Sequence, residues 1–262
     1  MSALLPDLID THCHLTSVPS EQLAEVLANA ALSGVRRSIC IGASNLTESA
    51  HQAVTIAEQF PTVWATVGIH PHDAGKGCSF AELEPLASHP KVRAIGETGL
   101  DFFRDWSPYE AQREIFRDQI ALALNVRKPL VIHCREALEE TLSILKQCNA
   151  REVGGVYHCY SGDEEYAKAL QEINFIVSFP GSLTFKKSEE LRRRAKLIPL
   201  EQIMLETDAP YMAPEPFRGG PSEPKHVYQI ALKLAEVKGL PLSEVAKTTT
   251  ANAERIFNLP PS

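Results

Sequence analysis

Short β-rich runs alternate with helical segments along the whole chain, and this alternation restricts the possible folds more than any other feature of the sequence. Segments such as Glu48–Gln59 and Tyr109–Asn125 repeat apolar residues at helical spacing. Strands that alternate with helices favour a parallel sheet built from βα units. We therefore expect an α/β fold, specifically a closed (β/α)8 TIM barrel, with an open doubly wound sheet as the alternative. The eight predicted strands are Leu8–His14, Ser38–Ile41, Val63–Ile69, Val92–Glu97, Leu130–Cys134, Gly155–His158, Phe175–Phe179 and Ile203–Thr207.

The length of the chain fits one domain of this kind. Its 262 residues can bury a large core and lie within the usual range of a single α/β barrel. We find no linker and no low-complexity segment, and we interpret residues 1–262 as a single TIM-barrel domain. The proline-rich segment Ala209–Pro224 is short, and we expect it to form a loop over the mouth of the barrel.

The charge balance limits the kind of partner that the surface can bind. With 26 basic and 33 acidic residues, the formal net charge is −7. A protein that binds nucleic acid over its whole surface needs many Lys and Arg contacts to phosphate, and this balance argues against one. It does not argue against an enzyme that holds a phosphate through bound metal ions, because such ions are often the largest local charges in a site.

The sequence has no pattern typical of a secreted or membrane protein. Residues 1–7 lack a basic region followed by an apolar stretch, and no apolar run approaches the roughly 20 residues of a membrane-spanning helix. We therefore expect a cytoplasmic protein without a membrane partner. Its six cysteines contain no C-x-x-C pair, which argues against a thiolate zinc site, and we expect thiols at Cys13, Cys40, Cys78, Cys134, Cys148 and Cys159.

Polar residues fall at the ends of the predicted strands. His12 and His14 lie two residues apart, so their side chains point to the same face of the sheet. In a barrel the carboxyl ends of the strands meet at one mouth, where the catalytic residues of this fold lie. We therefore expect one small volume to hold His12, His14, Glu97 at the end of the fourth strand, His133, His158 and Asp208.

Four histidines and two carboxylates in one volume predict a metal site. A single histidine at a strand end is more often a structural residue, so none of the six is decisive alone. Six polar side chains buried together without partners would cost several kcal/mol each. A metal ion is the partner that fits, since imidazole suits Zn, Fe, Ni and Cu while carboxylates also admit Mg and Mn.

Seven short motifs together resemble the TatD family of metal-dependent deoxyribonucleases. The resemblance runs from Leu8 to Phe257, and the motifs stand in the family's order. As a set they are highly specific, whereas His-x-His alone is not. They are Asp10-Thr-His-Cys-His14, Gly68-Ile-His-Pro-His72, Gly96-Glu-Thr-Gly-Leu-Asp101, His133-Cys-Arg135, His158-Cys-Tyr-Ser-Gly162, Glu206-Thr-Asp-Ala-Pro210 and Thr250-Ala-Asn252.

The resemblance implies a TIM barrel that binds two divalent ions, and sometimes three. It implies that His12, His14 and Asp208 hold one ion and that His133 and His158 hold the other. Glu97 would bridge the two ions, and Asp208 would also take a proton from the attacking water, so these two are the predicted catalytic residues. The ions could be Mg, Mn, Zn, Co or Ni. Asp101 is a candidate acceptor that orients a liganding histidine.

Four further residues are candidates for substrate binding. His70 and His72 flank Pro71 at the end of the third strand, where a structural loop role is the alternative. Arg135 follows His133 by two residues and could hold a phosphate, with a surface ion pair as the alternative. The pair Arg218-Gly219 resembles the Arg-Gly pair of a family loop, and the resemblance implies that this loop covers the substrate. The segment Gly220–Pro224 departs from the family pattern by lacking a basic pair, which removes positive charge near the mouth.

The family resemblance implies a phosphodiesterase that acts on DNA. We expect it to trim single strands from an end, as the resemblance also implies, because a barrel mouth admits a flexible terminus more easily than a duplex. No obligate protein partner is implied. One alternative is a metal-dependent amidase or lactonase, since the same ligands can direct water to a carbonyl carbon. A second is an inactive barrel that uses its metal for stability and its surface for binding.

Overall fold

A computed structural model describes residues 6–77 and 80–261 of the chain. Within these residues eight β-strands alternate with helices in the βα order that the sequence predicts. Most strand residues are buried, and β1, β3 and β7 are buried throughout. The strands are β1 Leu8–Cys13, β2 Val35–Cys40, β3 Val63–Val67, β4 Val92–Asp101, β5 Leu130–Arg135, β6 Gly155–Tyr157, β7 Phe175–Phe179 and β8 Ile203–Leu205.

Nine α-helices occur among the described residues, and short 3-10 turns precede or replace several connecting loops. The predicted helix over residues 48–59 has the same bounds in the structure, and that over residues 109–125 extends by one residue. The helices are α1 Leu23–Leu32, α2 Glu48–Gln59, α3 Leu83–Ala87, α4 Tyr109–Val126, α5 Leu138–Gln147, α6 Glu164–Gln171, α7 Glu189–Leu197, α8 Val227–Lys238 and α9 Leu242–Phe257.

The fourth strand differs from the prediction, because it does not end at Glu97. β4 continues to Asp101, and its register against β5 shifts between Gly96 and Thr98. Two glycines explain this path. Both Gly96 and Gly99 have a φ of 140°, and a Cβ at Gly99 would lie 2.0 Å from the backbone oxygen of His133. The backbones of β4 and β5 therefore approach closely only because glycine stands there, and Glu97 lies inside the strand at the irregularity.

The chain divides into two compact units. The terminal unit comprises Met1–Ile39, Cys159–Glu164 and Val177–Ser262, and the central unit comprises Cys40–His158 and Glu165–Ile176. The interpretation of residues 1–262 as a single domain stays a prediction.

The central unit is organised around four consecutive parallel strands. β3 pairs with β4, β4 with β5 and β5 with β6. Helices α2, α3 and α4 pack against β3 and β4, and α5 packs against β5. Apolar strand residues such as Val92 and Ile132 are fully buried, together with Phe116 and Ile120 of α4. This core fixes the positions of the strand ends, which carry the polar residues.

In the terminal unit, β7 pairs with β8 in parallel, and a parallel bridge joins Cys13 to Ala209 beyond the end of β8. Helices α8 and α9 pack on β1 and β8. The buried side chain of Asn252 in α9 donates to the backbone oxygens of Leu200 and Ile203, at 3.0 and 2.8 Å. The motif over residues 250–252 is therefore structural in this unit, because it ties α9 to the start of β8.

Two expectations from composition concern the described residues. No helix among residues 6–77 and 80–261 has the length and apolarity needed to cross a bilayer. The five described cysteines are thiols, whereas Cys78 lies outside the described residues. The cytoplasmic location stays a prediction.

Candidate metal centre

Three imidazoles of the central unit converge on one buried carboxylate. Oε1 of Glu97 lies 2.8 Å from Nε2 of His158 and 2.9 Å from Nδ1 of His133. Nε2 of His70 lies 3.4 Å from the same oxygen. Only 4% of the Glu97 side chain is exposed. We call Glu97, His70, His133 and His158 the Glu97 cluster.

Four successive strands place these side chains. His70 follows β3 and begins a 3-10 turn, Glu97 lies at the irregularity of β4, and His133 lies within β5. His158 directly follows β6, and its backbone N–H donates to the carbonyl of Ile132. The cluster is therefore a product of parallel pairing, which brings the carboxyl ends of neighbouring strands to one edge.

A second carboxylate, Asp101, supports the cluster at the end of β4. Its Oδ2 lies 3.0 Å from Nε2 of His133 and 2.7 Å from Nε2 of His72. Its Oδ1 accepts the backbone N–H groups of Phe103 and Arg104, at 3.0 and 2.9 Å. Burial alone would raise the pKa of Asp101, but the bonds from His133, from the Arg104 backbone and from His72 hold it well below its ordinary value. Asp101 is therefore an anionic acceptor that orients two imidazoles.

The same environment shifts the pKa values of two imidazoles in opposite directions. Burial lowers the pKa of His70 to about 4, against an upward pull from Glu97, so this ring is neutral at neutral pH. Burial also acts to lower the pKa of His133, but its bonds to Asp101 and Glu97 outweigh this and raise it. A neutral imidazole offers a lone pair to a cation, as a metal ligand must.

Two glutamines of α4 hold the backbone around the cluster. Gln119 is fully buried, accepts the N–H of Ile69 at 2.8 Å, and donates to the carbonyl of Ile69 and the hydroxyl of Thr98. Gln112 accepts the N–H of Asp101 at 2.8 Å and donates to the carbonyls of Asp101 and Ser107. The two residues are seven apart, two helical turns, and therefore share one face of α4.

The donors of the central unit fit a divalent cation. Glu97, His133 and His158 each offer a ligand atom, and these atoms lie within 4.8 Å of one another. His70, His72 and His133 form a second group of the same size. Nitrogen and oxygen ligands lie about 2.0–2.2 Å from zinc, so two ligands of one ion are at most about 4.4 Å apart. Small side-chain adjustments would bring either group into that range.

In the terminal unit, two histidines face Asp208. Oδ1 of Asp208 lies 3.3 Å from Nε2 of His14 and 3.7 Å from Nε2 of His12. The backbone holds the three together, because the N–H of Asp208 donates to the carbonyl of His12 at 2.9 Å. The N–H of His14 donates to the carbonyl of Ala209 at 2.7 Å. We call His12, His14 and Asp208 the Asp208 cluster.

Asp10 lies in β1, two residues before His12 of this cluster, and has no exposed surface. Its Oδ1 accepts the backbone N–H of Thr207 at 3.0 Å and that of His12 at 3.3 Å, and its Oδ2 accepts the hydroxyl of Thr207 at 2.6 Å. Burial raises the pKa of Asp10 to about 7, although the Thr207 and His12 hydrogen bonds act in the opposite direction. Asp10 thus joins the segment before Asp208 to the strand that carries His12.

The family of the chain follows from comparison with known proteins. The family described as TatD related DNase matches residues 9–258. An uncharacterized metal-dependent hydrolase of Bacillus subtilis, YabD, is 39% identical over 255 residues, which are 96% of this chain and 99% of YabD. A protein of Edwardsiella piscicida named 3'-5' ssDNA/RNA exonuclease TatD is 35% identical over 261 residues, 96% of this chain and 100% of that protein. The chain belongs to the TatD family.

A solved structure of a TatD-family protein matches the whole fold. The crystal structure of YJJV, a TatD homologue from Escherichia coli K12, has a TM-score of 0.87 and 28% identity, and the match covers 97% of this chain and 98% of YJJV. The predicted (β/α)8 TIM barrel is confirmed by this match. The chain is thus a TatD-family metal-dependent hydrolase, and the prediction of an enzyme is confirmed.

Within each unit the TatD-family site residues meet as follows. The central unit brings Glu97 together with His133 and His158, and the terminal unit brings His12 and His14 together with Asp208. The assignment of all six to metal ions stays a prediction. His70 contacts Glu97 and His72 contacts Asp101, and their roles in substrate binding stay predictions as well.

The two predicted arginines each lie against an aromatic ring of their own unit. The guanidinium of Arg135 lies 3.7 Å from the ring centroid of Phe103, and that of Arg218 lies 4.3 Å from the ring centroid of Phe185. Arg135 thus makes a cation–π contact, and its role in phosphate binding, with a surface ion pair as the alternative, stays a prediction.

Sequence reasoning missed several residues that support the TatD-family site. Asp10 and Glu206 stand in recognised motifs but received no role, although Oε1 of Glu206 accepts the N–H of Cys159 at 2.7 Å. Gln112 and Gln119 received no role either. A signal for them was present, because two amides seven residues apart lie among buried apolar residues of one helix face.

Proposed function

We propose that this chain is a metal-dependent exonuclease that removes nucleotides from an end of single-stranded DNA by hydrolysis. Family membership supports the proposal, as does the Edwardsiella piscicida relative, whose name states exonuclease activity on single-stranded DNA and RNA. The observation that carries it is the Glu97 cluster, in which three imidazole nitrogens converge on one buried carboxylate oxygen. Such a donor set is suited to a divalent cation.

We assign two divalent ions to the enzyme, with imidazole and carboxylate ligands that accept Mg, Mn, Zn, Co or Ni. When bound, such ions lower the pKa of a water molecule and polarise a phosphoryl oxygen. The proposed ligands are His12, His14, Glu97, His133, His158 and Asp208.

The remaining steps belong to side chains of the protein. Asp208 is 13% exposed, so its carboxylate is open to solvent and can accept a proton at Oδ1 from the attacking water. His14, at 3.3 Å from that oxygen, orients the carboxylate. We assign the cationic groups of Arg135 and Arg218 to phosphate oxygens of the substrate, and His70 and His72 to positions beside the reacting phosphate.

The test is release of nucleotides from single-stranded oligonucleotides that carry a label at one end. With Mg²⁺ or Mn²⁺ we expect a ladder that shortens from one end, and the end that must be unblocked gives the direction of digestion. EDTA should abolish release, and refilling with the metal should restore it. Absence of release with every metal of the series would contradict the proposal.

A pair of variants separates the site from general damage to the protein. Asp208→Asn removes the proposed proton acceptor and should lower the rate of release about 10²- to 10⁴-fold. The matched control is Asp118→Asn on the exposed face of α4. Equal activity of the two variants would remove Asp208 from the mechanism.

The comparisons do not favour hydrolysis of a small carbonyl compound. A named nuclease is among relatives that match the chain over nearly its full length. A panel with a phosphodiester reporter beside a lactone tests the choice directly. Preference for the lactone would move the proposal to the carbonyl class.

A further inference from the structure

A loop of the central unit exposes aromatic side chains beside the Glu97 cluster. It connects β4 to α4 and has the sequence Phe102-Phe103-Arg104-Asp105-Trp106-Ser107-Pro108. The Phe103 residue is 48% exposed and Trp106 is 59% exposed. Large aromatic residues bury most of their surface in an ordinary fold, so two exposed rings in one short loop need an explanation.

Hydrogen bonds fix the loop at both ends, so the rings of Phe103 and Trp106 have defined positions. At its start, Asp101 accepts the N–H groups of Phe103 and Arg104, and the N–H of Phe102 donates to the carbonyl of Arg135 at 2.9 Å. At its end, Gln112 donates to the carbonyl of Ser107 at 3.0 Å. The hydroxyl of Ser107 in turn accepts the N–H of Gly75 at 2.6 Å. A surface fixed in advance loses little conformational entropy when it binds a ligand.

Guanidinium groups alternate with the exposed rings. Arg135 lies 3.7 Å from the centroid of Phe103, while Arg104 lies 5.3 Å from Phe103 and 5.1 Å from Trp106. Within residues 102–108 the one acid is Asp105, and Arg135 brings a second guanidinium to the rings from β5. We call Phe103, Arg104, Trp106 and Arg135 the aromatic–arginine platform.

Contacts connect this platform to the Glu97 cluster. The ring of Trp106 packs edge-on against His72, with the centroids 4.5 Å apart. His72 contacts Asp101, which contacts His133 of the cluster. Arg135 reaches the platform from the same strand as His133, two residues farther along. A strand of nucleic acid bound at the cluster would therefore extend directly over the platform.

We propose that the aromatic–arginine platform binds the unpaired bases and phosphates of a single-stranded nucleic acid next to the bond that is cleaved. This inference rests on the proposed function and adds its substrate-selecting surface. Phe103 and Trp106 stack on bases, while Arg104 and Arg135 contact the phosphates between them. Stacking on an aromatic ring requires a base whose face is free, and base faces inside a duplex are covered. The platform thus selects unpaired ends.

Kinetics with two substrates test the stacking step. One is a short oligothymidylate, and the other has the same backbone but lacks the bases nearest the cleaved end. The parent enzyme should have a KM about tenfold lower for the complete oligonucleotide. In the double variant Phe103→Ala/Trp106→Ala this difference should fall toward zero, and Trp106→Phe, which keeps a ring, should largely retain it. Leu32→Ala, at an exposed residue of α1, is the control.

A binding measurement keeps the platform testable even if the chain is not a nuclease. The protein has two tryptophans, and Trp64 is only 7% exposed, so quenching by an added ligand reports mainly on Trp106. In EDTA at low salt, oligothymidylate should quench this fluorescence, and a duplex of the same length should quench it much less. The quenching should be absent in Trp106→Phe.

Each outcome decides between the two claims. Nucleotide release by the parent enzyme with equal KM for the two substrates, or a KM difference that persists in the double variant, would overturn the platform and leave the proposed function intact. Quenching without nucleotide release under any metal would support the platform as a single-strand binding surface and overturn the nuclease. Equal quenching by single strands and duplex would overturn the selection of unpaired ends. A base effect that is lost in the double variant and retained in Trp106→Phe would support stacking.

Discussion

The two clusters of candidate ligands are built in different ways. In the Glu97 cluster, side chains hold one another, since two imidazoles approach Oε1 of Glu97 within hydrogen-bond distance at 2.8 and 2.9 Å. In the Asp208 cluster, the nearest imidazole is 3.3 Å from the carboxylate, and backbone hydrogen bonds hold the residues together. Asp208 is also more exposed than Glu97, at 13% against 4%.

We infer from this difference that Glu97 mainly binds a cation and that Asp208 mainly takes part in the reaction. A buried carboxylate surrounded by imidazoles is a fixed anchor for a cation, because burial strengthens its attraction to charge. A more exposed carboxylate on a backbone frame can meet water and exchange a proton. Changes at Glu97 should therefore remove metal from the central unit, whereas changes at Asp208 should lower the rate while the central unit keeps its ion.

The largest effect is expected for Glu97→Gln, which keeps the shape of the side chain and removes its charge. We expect the metal content of the purified protein to fall and the rate of nucleotide release to drop at least about 10⁴-fold, because both the cation and its effects are lost. Elemental analysis beside the rate measurement checks this. A variant with full metal content would contradict the role of Glu97 as the anchor.

Asp208→Asn tests the difference between the two clusters, because it should lower the rate of nucleotide release while the central unit keeps its ion. The ion assigned to His133 and His158 should remain, while the rate falls about 10²- to 10⁴-fold through loss of the proton acceptor. Elemental analysis and the Tm with and without EDTA report on the metals. If the EDTA-dependent shift in Tm disappeared in this variant, the two clusters would not divide the work as described.

Asp10→Asn tests whether the frame of the Asp208 cluster matters for the rate. The asparagine can still accept at Oδ1, but the hydroxyl of Thr207 loses its acceptor at Oδ2. We expect a rate about 10- to 100-fold lower, as is usual when a partner behind a ligand is removed. A fall in kcat with little change in KM would fit a positioning role, and unchanged kcat would contradict it.

Gln119→Ala tests the corresponding frame of the central unit. It removes the bonds to both backbone groups of Ile69 and to Thr98, and each buried group left without a partner costs about 1–3 kcal/mol. We expect a lower free energy of unfolding in urea and a rate reduced less than tenfold. Gln147→Ala, on the exposed face of α5, is the control.

The smallest effect on the rate is expected at His226, which lies before α8 in the terminal unit. Burial lowers its pKa to about 4, aided by Lys225, so the folded protein keeps it neutral while the unfolded chain takes up a proton below pH 6.5. Its contribution to stability is complete above pH 6.5 and is lost as the pH falls toward 4. His226→Gln should reduce the difference in unfolding free energy between pH 7 and pH 5 by at most about 2 kcal/mol.

The sequence predicted the fold well because its signal is repeated. All eight predicted strands are present in the structure, because apolar runs bounded by helical segments are typical of the buried strands of a parallel sheet. The error at β4 has a physical cause: apolar periodicity ends near Glu97, but two glycines let the strand continue to Asp101. Backbone irregularities of this kind leave almost no trace in hydrophobic patterning.

The site was predictable to the extent that residue type determines its chemistry. Histidines and carboxylates at strand ends indicate metal ligands, and the clusters in each unit bring such residues together. The supporting residues were not predictable in this way. Gln119 acts through bonds to the main chain, and an amide on a helix gives no hint of which backbone groups it meets. The platform was also missed, because exposure of Phe103 and Trp106 depends on the path of the loop.

The two oxygens of Asp101 face different neighbours, one the start of the loop and the other two imidazoles. Together with Gln112, this carboxylate fixes the main chain on either side of residues 103–106 without using the side chains at 103, 104 or 106. The side chains at 103 and 104 can therefore be exchanged while the imidazoles keep their positions, whereas Trp106 also packs against His72. Laboratory evolution of ligand preference in this enzyme should begin at residues 103 and 104 and should keep Asp101 and Gln112.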